Sequence, residues 1–315
     1  MIALLTAALF PIFAGLAVGY IAGLRKIVDN VNVKSLIAFL MSFALPCSLF
    51  LTIAHTNHAA LAGQGHMAAV LALVYLLTFA IAWFGARIFD KASIGDAAVL
   101  ALTLAFPNAT AVGLPLLQSQ YGPHGLVACA TGIAIGAMTV SPITLALLES
   151  TTTSGHTRSF SQRLGSAVWK AIKRPVVWAP LLGVMAVIAG VTLPIYIDRT
   201  LSILGTATAG VALFLTGLIV SAQRFAFNLR VALSVLLKNI LQPAICLGIA
   251  LLLRLSLDEI RFTVLISAIP CGFFGLVFGK GFNATPPTAS SSLIASYVLG
   301  IFTLAGWIIF LGQLK

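Results

Sequence analysis

Ala105-Phe-Pro-Asn-Ala-Thr-Ala-Val-Gly-Leu-Pro115 and Ala268-Ile-Pro-Cys-Gly-Phe-Phe-Gly275 decide how this chain is read. Each puts proline and glycine in the middle of a run that is otherwise apolar enough to lie in a bilayer. Proline removes a backbone N–H and clashes with the preceding turn, and glycine lets the chain unwind. In hydrocarbon the freed backbone groups need partners, so an interruption must be buried in protein or line a wet cavity. Paired interruptions in the two halves of a sequence are the best pointer to a transporter binding site. If they cross, half-helix ends meet near the midplane, where N-terminal ends carry partial positive charge and favour an anion.

The two stretches belong to a wider internal match at an offset of 163–164 residues. Pro11 pairs with Pro175, Gly19 with Gly183, and Pro107 with Pro270. Pro46-Cys-Ser-Leu-Phe-Leu-Thr52 lies over Gly210-Val-Ala-Leu-Phe-Leu-Thr216. Around these anchors the apolar runs divide into ten spans: 2–23, 35–54, 67–88, 95–120, 125–148, 175–193, 200–221, 230–253, 261–281 and 288–313. A helix needs about 20 apolar residues to cross the hydrocarbon core. Unbroken runs such as Ala68–Ala82 exclude a barrel of alternating strands. Five spans per half is an odd number, so the second half enters from the opposite face. The expected fold is an all-α polytopic membrane protein of ten transmembrane helices, two inverted five-helix repeats with spans four and nine broken. The repeats are 1–149 and 175–315, joined by a cytoplasmic linker at 150–174. Part of that linker, 160–173, reads as a short amphipathic surface helix.

Composition agrees. Of 315 residues, 60% are hydrophobic and 8% charged, against about 25% charged in soluble domains. This excludes secreted scaffolds, coiled coils and disordered chains. The net charge of +11 is spread along the chain with no polar domain to carry it, so nucleic acid is not an expected partner. Cys47, Cys129, Cys246 and Cys271 stand singly, without metal-ligand spacing, and no metal or cofactor is expected. The first positive charge, Arg25, follows the first apolar run instead of preceding it, so that run does not read as a cleavable signal. With the N-terminus outside, 13 Lys/Arg fall in cytoplasmic loops and 4 (Arg199, Arg254, Arg261, Lys315) on the other side. The positive-inside rule then puts both termini on the non-cytoplasmic side, in an inner membrane. His55, His58, His66 and His124 fall on that side too and read as solvated loop residues.

Candidate substrate-binding residues follow from the breaks: Pro107, Asn108, Ala109 and Thr110 in span four, and Pro270, Cys271, Gly272 and Phe273 in span nine. Asn108 is the most polar side chain at either break; it contacts a ligand or makes a helix–helix hydrogen bond. Cys271 is its repeat partner, and the backbone at Gly272 matters beside the thiol. Lys238, about eight residues into span eight, is the one charged side chain well inside a span. It either neutralises an anionic substrate or snorkels to the headgroups. No Asp or Glu sits at mid-span, which argues against a proton-relay carboxylate and against a cationic substrate.

Ala44-Leu-Pro-Cys-Ser-Leu-Phe50, Asn108-Ala-Thr-Ala-Val-Gly-Leu-Pro115, Leu237-Lys-Asn-Ile-Leu-Gln-Pro243 and Pro270-Cys-Gly-Phe-Phe-Gly275 resemble the auxin efflux carrier family, and its bacterial malonate or dicarboxylate permeases in particular. The resemblance implies a scaffold of spans one, two, six and seven that also forms a homodimer, and a mobile transport domain of spans three to five and eight to ten. It implies a substrate at the crossover between Asn residues; Asn108 matches the first, and Cys271 stands in place of the second. Pro46, with Gly210 and Val211, would face the crossover from the scaffold. The function expected is secondary transport of a small organic anion, a carboxylate, by alternating access. A sodium-coupled carrier of the bile-acid-symporter type and a channel or non-transporting receptor are the alternatives. An enzyme is not expected, since every His lies in a loop.

Overall fold

The computed structural model describes residues 2–55, 64–151 and 175–314 continuously, and residues 161, 162, 165, 166, 169 and 173 singly. His58 and most of the surface helix expected at 160–173 lie outside the described residues. Among the described residues the protein is all-helical, and six helices are long and apolar enough to cross a membrane.

In chain order the helices are α1 (Ile2–Leu24), α2 (Lys34–Ala54), α3 (Gln64–Ile88) and α4 (Ile94–Ala105). The helical stretch Ala109–Glu149 is divided at Gly122, whose φ is 58°, into α5 (109–121) and α6 (123–149). Then come α7 (Pro175–Ile188), α8 (Ile195–Ser221), α9 (Leu229–Leu252), α10 (Leu257–Ala268), α11 (Phe274–Lys280) and α12 (Pro287–Gln313). The expected span four is thus α4 plus α5, and span nine is α10 plus α11. The sixth span, expected over 175–193, is shorter: α7 stops at Ile188, and Gly190 turns the chain with φ 64°.

Helix starts are fixed by side-chain caps. Ser93 accepts from the Asp96 N–H at the head of α4, and Ser256 with Glu259 forms a reciprocal capping box at the head of α10. Such caps are each worth about 1 kcal/mol. Left-handed turns precede both starts, at Lys91 (φ 50°) and Arg254 (φ 53°).

Three prolines leave a common mark. Pro46, Pro115 and Pro243 each follow by two residues the end of a π-helical turn, at Leu40–Ala44, Ala109–Gly113 and Leu237–Leu241. A proline ring clashes with the carbonyl four residues back, and widening the turn relieves that clash. The freed carbonyl then needs another donor. For Pro243 that carbonyl is Asn239 O, and the Trp307 indole N–H donates to it at 3.0 Å.

The chain forms two compact units. The first comprises Met1–Ala68, Ala109–Ala134 and Ile172–Ala222. Here α1 packs along α8 with almost no gap. A Cβ on Gly19 would lie 2.0 Å from Phe214 O, and one on Gly217 would lie 2.0 Å from Leu16 O. Gly15, Gly19 and Gly23 repeat every fourth residue, the small-residue spacing that lets membrane helices approach closely. α7 packs on α2 by the same device, with Gly183 against Phe50 O at 3.0 Å. The second unit comprises Ala69–Asn108, Ile135–Ala171 and Gln223–Lys315. In it α11 rests on α4, where Gly275 lies against Val99 O and Thr103, and α10 packs on α9.

Replacing Gly217 by Val should push a side chain into the α1 backbone. We expect a loss of about 1–3 kcal/mol, the usual cost of overpacking, read as a lowered Tm in detergent. The same change at Gly210, which has open space around it, should leave Tm nearly unaltered.

Candidate functional site

Both interruptions lie in the second unit, and they meet. α4 ends at Ala105, Phe106 turns extended (φ −99°, ψ 102°), and Pro107 forms an isolated antiparallel bridge with Cys271. α10 ends at Ala268, and Ile269 is extended (φ −59°, ψ 138°). Across the crossing the Asn108 N–H donates to Pro270 O at 3.0 Å, and the Gly272 N–H donates to Thr103 O at 3.1 Å. Gly272 is needed for the approach itself: a Cβ there would sit 2.2 Å from Phe106 O. The Phe106 ring stacks on Phe274 with centroids 5.3 Å apart. On its other side a Cβ at Gly136 would strike the ring at 2.3 Å.

A buried polar network from α9 and α12 supports the crossing. The π turn of α9 directs consecutive residues, Lys238 and Asn239, inward. Lys238 is 0% exposed and is the one buried charged side chain among the described residues. Its Nζ donates to Gln242 Oε1 at 2.5 Å and to Ser267 O at 3.0 Å. Gln242 Nε2 in turn donates to Ala105 O at 2.9 Å. Asn239 Nδ2 donates to Ser296 O at 3.0 Å, while the Ser296 hydroxyl donates to Asn239 Oδ1 at 2.6 Å and accepts from the Cys271 N–H at 3.1 Å.

Of the ten residues expected at the site, seven lie in the second unit: Pro107, Asn108, Pro270, Cys271, Gly272, Phe273 and Lys238. All seven are buried. Asn108 Nδ2 donates to Tyr297 OH at 2.5 Å. Pro46, Ala109 and Thr110 belong to the first unit, where Thr110 Oγ1 is buried with no hydrogen-bond partner. The snorkelling alternative for Lys238 is overturned. Its ammonium is fully buried and donates to Ser267 O at the end of α10 and to Gln242 Oε1 of its own helix. Gln242, Asn239, Ser296 and Tyr297 were missed. The signal available was the cluster Lys238, Asn239 and Gln242, three hydrogen-bonding side chains within five residues of an apolar span.

The first unit also holds a cavity of about 490 Å³ between α2, α5, the start of α6 and α8. Ser48, Gln118, Ser202 and Thr208 contribute polar groups to an otherwise apolar wall. His55 at its edge lies with Nε2 2.6 Å from Asp198 Oδ1 and keeps more than half of its side chain exposed.

Apolar helices of membrane-crossing length, with two others interrupted where they cross, describe a multi-pass membrane transporter. The comparisons with known proteins narrow this. The family model described as membrane transport protein matches residues 4–308. Uncharacterized transporter YfdV of Escherichia coli (strain K12) is 32% identical over 303 residues, 95% of each chain. Auxin efflux carrier component 8 of Arabidopsis thaliana is 29% identical over 141 residues, 42% of this chain and 38% of that protein. The lysosomal cholesterol signaling protein of Mus musculus is 25% identical over 330 residues, 96% of this chain and 37% of that protein. The chain belongs to the membrane transport protein family, related to the auxin efflux carriers, and is a transporter and not an enzyme.

Gly272→Ala should open the crossing. Cys271 is buried, and Cys47 is the one cysteine that is partly exposed. In a Cys47→Ser background, a small maleimide should label the parent protein slowly and the Gly272→Ala variant at least tenfold faster. Equal rates would mean that the crossing tolerates the added methyl.

Proposed function

We propose that this protein is a secondary transporter that carries a small organic anion, a carboxylate, by alternating access at the crossing of spans four and nine. The observation that carries the reading is the crossing itself, two interrupted transmembrane segments joined through Pro107 and Cys271. The charge inventory supports an anion. The one buried charge among the described residues is the Lys238 cation, and every described Asp and Glu is at least partly exposed. That absence of buried carboxylate gives the sodium-coupled alternative no support. The auxin efflux carriers named above supply an analogy for the substrate class, since auxin is a carboxylic acid.

The ten-span inverted repeat is part of the proposal. Its support is local geometry that recurs at the sequence offset. Ser93 and Ser256 cap helices with Asp96 and Glu259 three residues on. Left-handed residues recur as Lys26 and Gly190, and as Lys91 and Arg254. Contacts recur reciprocally: Gly19 of α1 meets Phe214 of α8, and Gly183 of α7 meets Phe50 of α2. Both pairs are related by 164 residues, as a repeat with exchanged partners requires.

In this reading α1, α2, α7 and α8 belong to the scaffold, through which the protein forms a homodimer. Spans three to five and eight to ten form the moving part, both termini face away from the cytoplasm, and the membrane is the inner membrane. Asn108 is the side chain assigned to the substrate carboxylate. It releases Tyr297 when the anion binds.

Proteoliposomes loaded with buffer and presented with radiolabelled acetate, malonate, succinate or benzoate test this. We expect saturable uptake of at least one acid, and a loss of at least tenfold in Asn108→Ala. Full activity in that variant would remove Asn108 from the mechanism. Ionic currents without saturation would favour a channel.

A further inference from the structure

The geometry points to Lys238 as a positioning residue, a tethered cation that holds the carbonyl ends of α4 and α10 together. Both helices stop at the break, so their last carbonyls lack intrahelical donors. Each C-terminus carries a partial charge of roughly −0.5. Two such ends brought side by side therefore present about one negative charge, and one ammonium balances it. The connections match this requirement. Lys238 Nζ binds Ser267 O at the end of α10 directly, and through Gln242 it reaches Ala105 O at the end of α4.

The acceptors on the ammonium are a backbone carbonyl and an amide oxygen, the hard neutral oxygens that alkali and alkaline-earth cations prefer. No described Asp or Glu is buried near enough to serve as its counter-ion. Lys238 is closed off on all sides, so it offers no face to a solute. Its role is to fix the two ends, and substrate is met elsewhere at the crossing. Two consequences follow. Transport does not require sodium, because the cation is covalently attached. Loss of the charge disorders both ends, while loss of Gln242 alone frees only α4.

The transport arm of the test rests on the function proposed above; the exchange arm does not. Full-length Lys238→Met, Lys238→Arg and Gln242→Leu are purified and reconstituted. Amide hydrogen exchange is followed in peptides covering 100–106 and 264–269. We expect at least tenfold faster exchange in both peptides for Lys238→Met and near-parental exchange for Lys238→Arg. For Gln242→Leu only the first peptide should change. Uptake of malonate by the parent protein should be equal in sodium and choline media, and Lys238→Met should lose rate with KM kept within twofold. Unchanged exchange in Lys238→Met, or a tenfold rise in KM with the rate preserved, overturns the proposal in favour of a substrate ligand. A strict sodium requirement in the parent also overturns it. If Lys238→Met fails to fold, the Arg and Gln242→Leu variants still decide. If malonate is not carried at all, the transport reading loses its probe and the exchange result stands alone.

Discussion

Everything at the centre of the second unit follows from one constraint: a backbone opened by proline inside hydrocarbon must find a partner for each polar group that it exposes. Pro107 and Pro270 open two helices at once, and the freed groups answer one another. Thr103 O and Pro270 O are met by N–H groups of the opposite segment. Ala105 O and Ser267 O are met by side chains of α9, and the Cys271 N–H by Ser296 of α12. Several kcal/mol are at stake for each group left open in lipid. The crossing is therefore a requirement of backbone chemistry before any role in binding.

The supporting helix is shaped by the same residue type. Pro243 follows a wide turn in α9, and within that turn the consecutive residues Lys238 and Asn239 are both buried, the first reaching Ser267 of α10 and the second Ser296 of α12. One proline thus sets out the donors that two other prolines demand. Trp307 closes the account by donating to the carbonyl that Pro243 released.

The sequence made the membrane class, the helix interruptions and the proline-glycine signature legible, because each depends on local composition or local backbone chemistry. The partners of the opened groups were not legible. Lys238, Ser267 and Ala105 are far apart in the chain, and nothing in an apolar run says which way a lysine turns. The π turns were within reach, since Pro46, Pro115 and Pro243 all stand in spans. Whether a proline kinks, breaks or widens a helix depends on who accepts the released carbonyl, and that is a tertiary fact. The close packing of α1 on α8 had a readable signal in Gly15, Gly19 and Gly23; its partner helix did not. His55 shows the converse, a loop residue whose hydrogen bond with Asp198 joins two segments 143 residues apart.

Charge bookkeeping links this scaffold to the sign of its guest. A crossing of two broken helices has two carbonyl ends and two amide ends, so by itself it favours neither cation nor anion. In the reading proposed above, a fixed cation on the carbonyl ends removes their pull on a second cation. A carboxylate in the position of Lys238 would reverse that preference, and carriers of cations need such acids at the midplane. Here every described acidic residue stands near a helix end or in a connection, and Asp96 and Glu259 stabilise amide ends. Asp96 and Glu259 serve helix starts, and the buried lysine lies against the carbonyl end of α10. With no buried acid among the described residues, the interior offers a cation no counter-charge, and the anionic substrate proposed above rests on that.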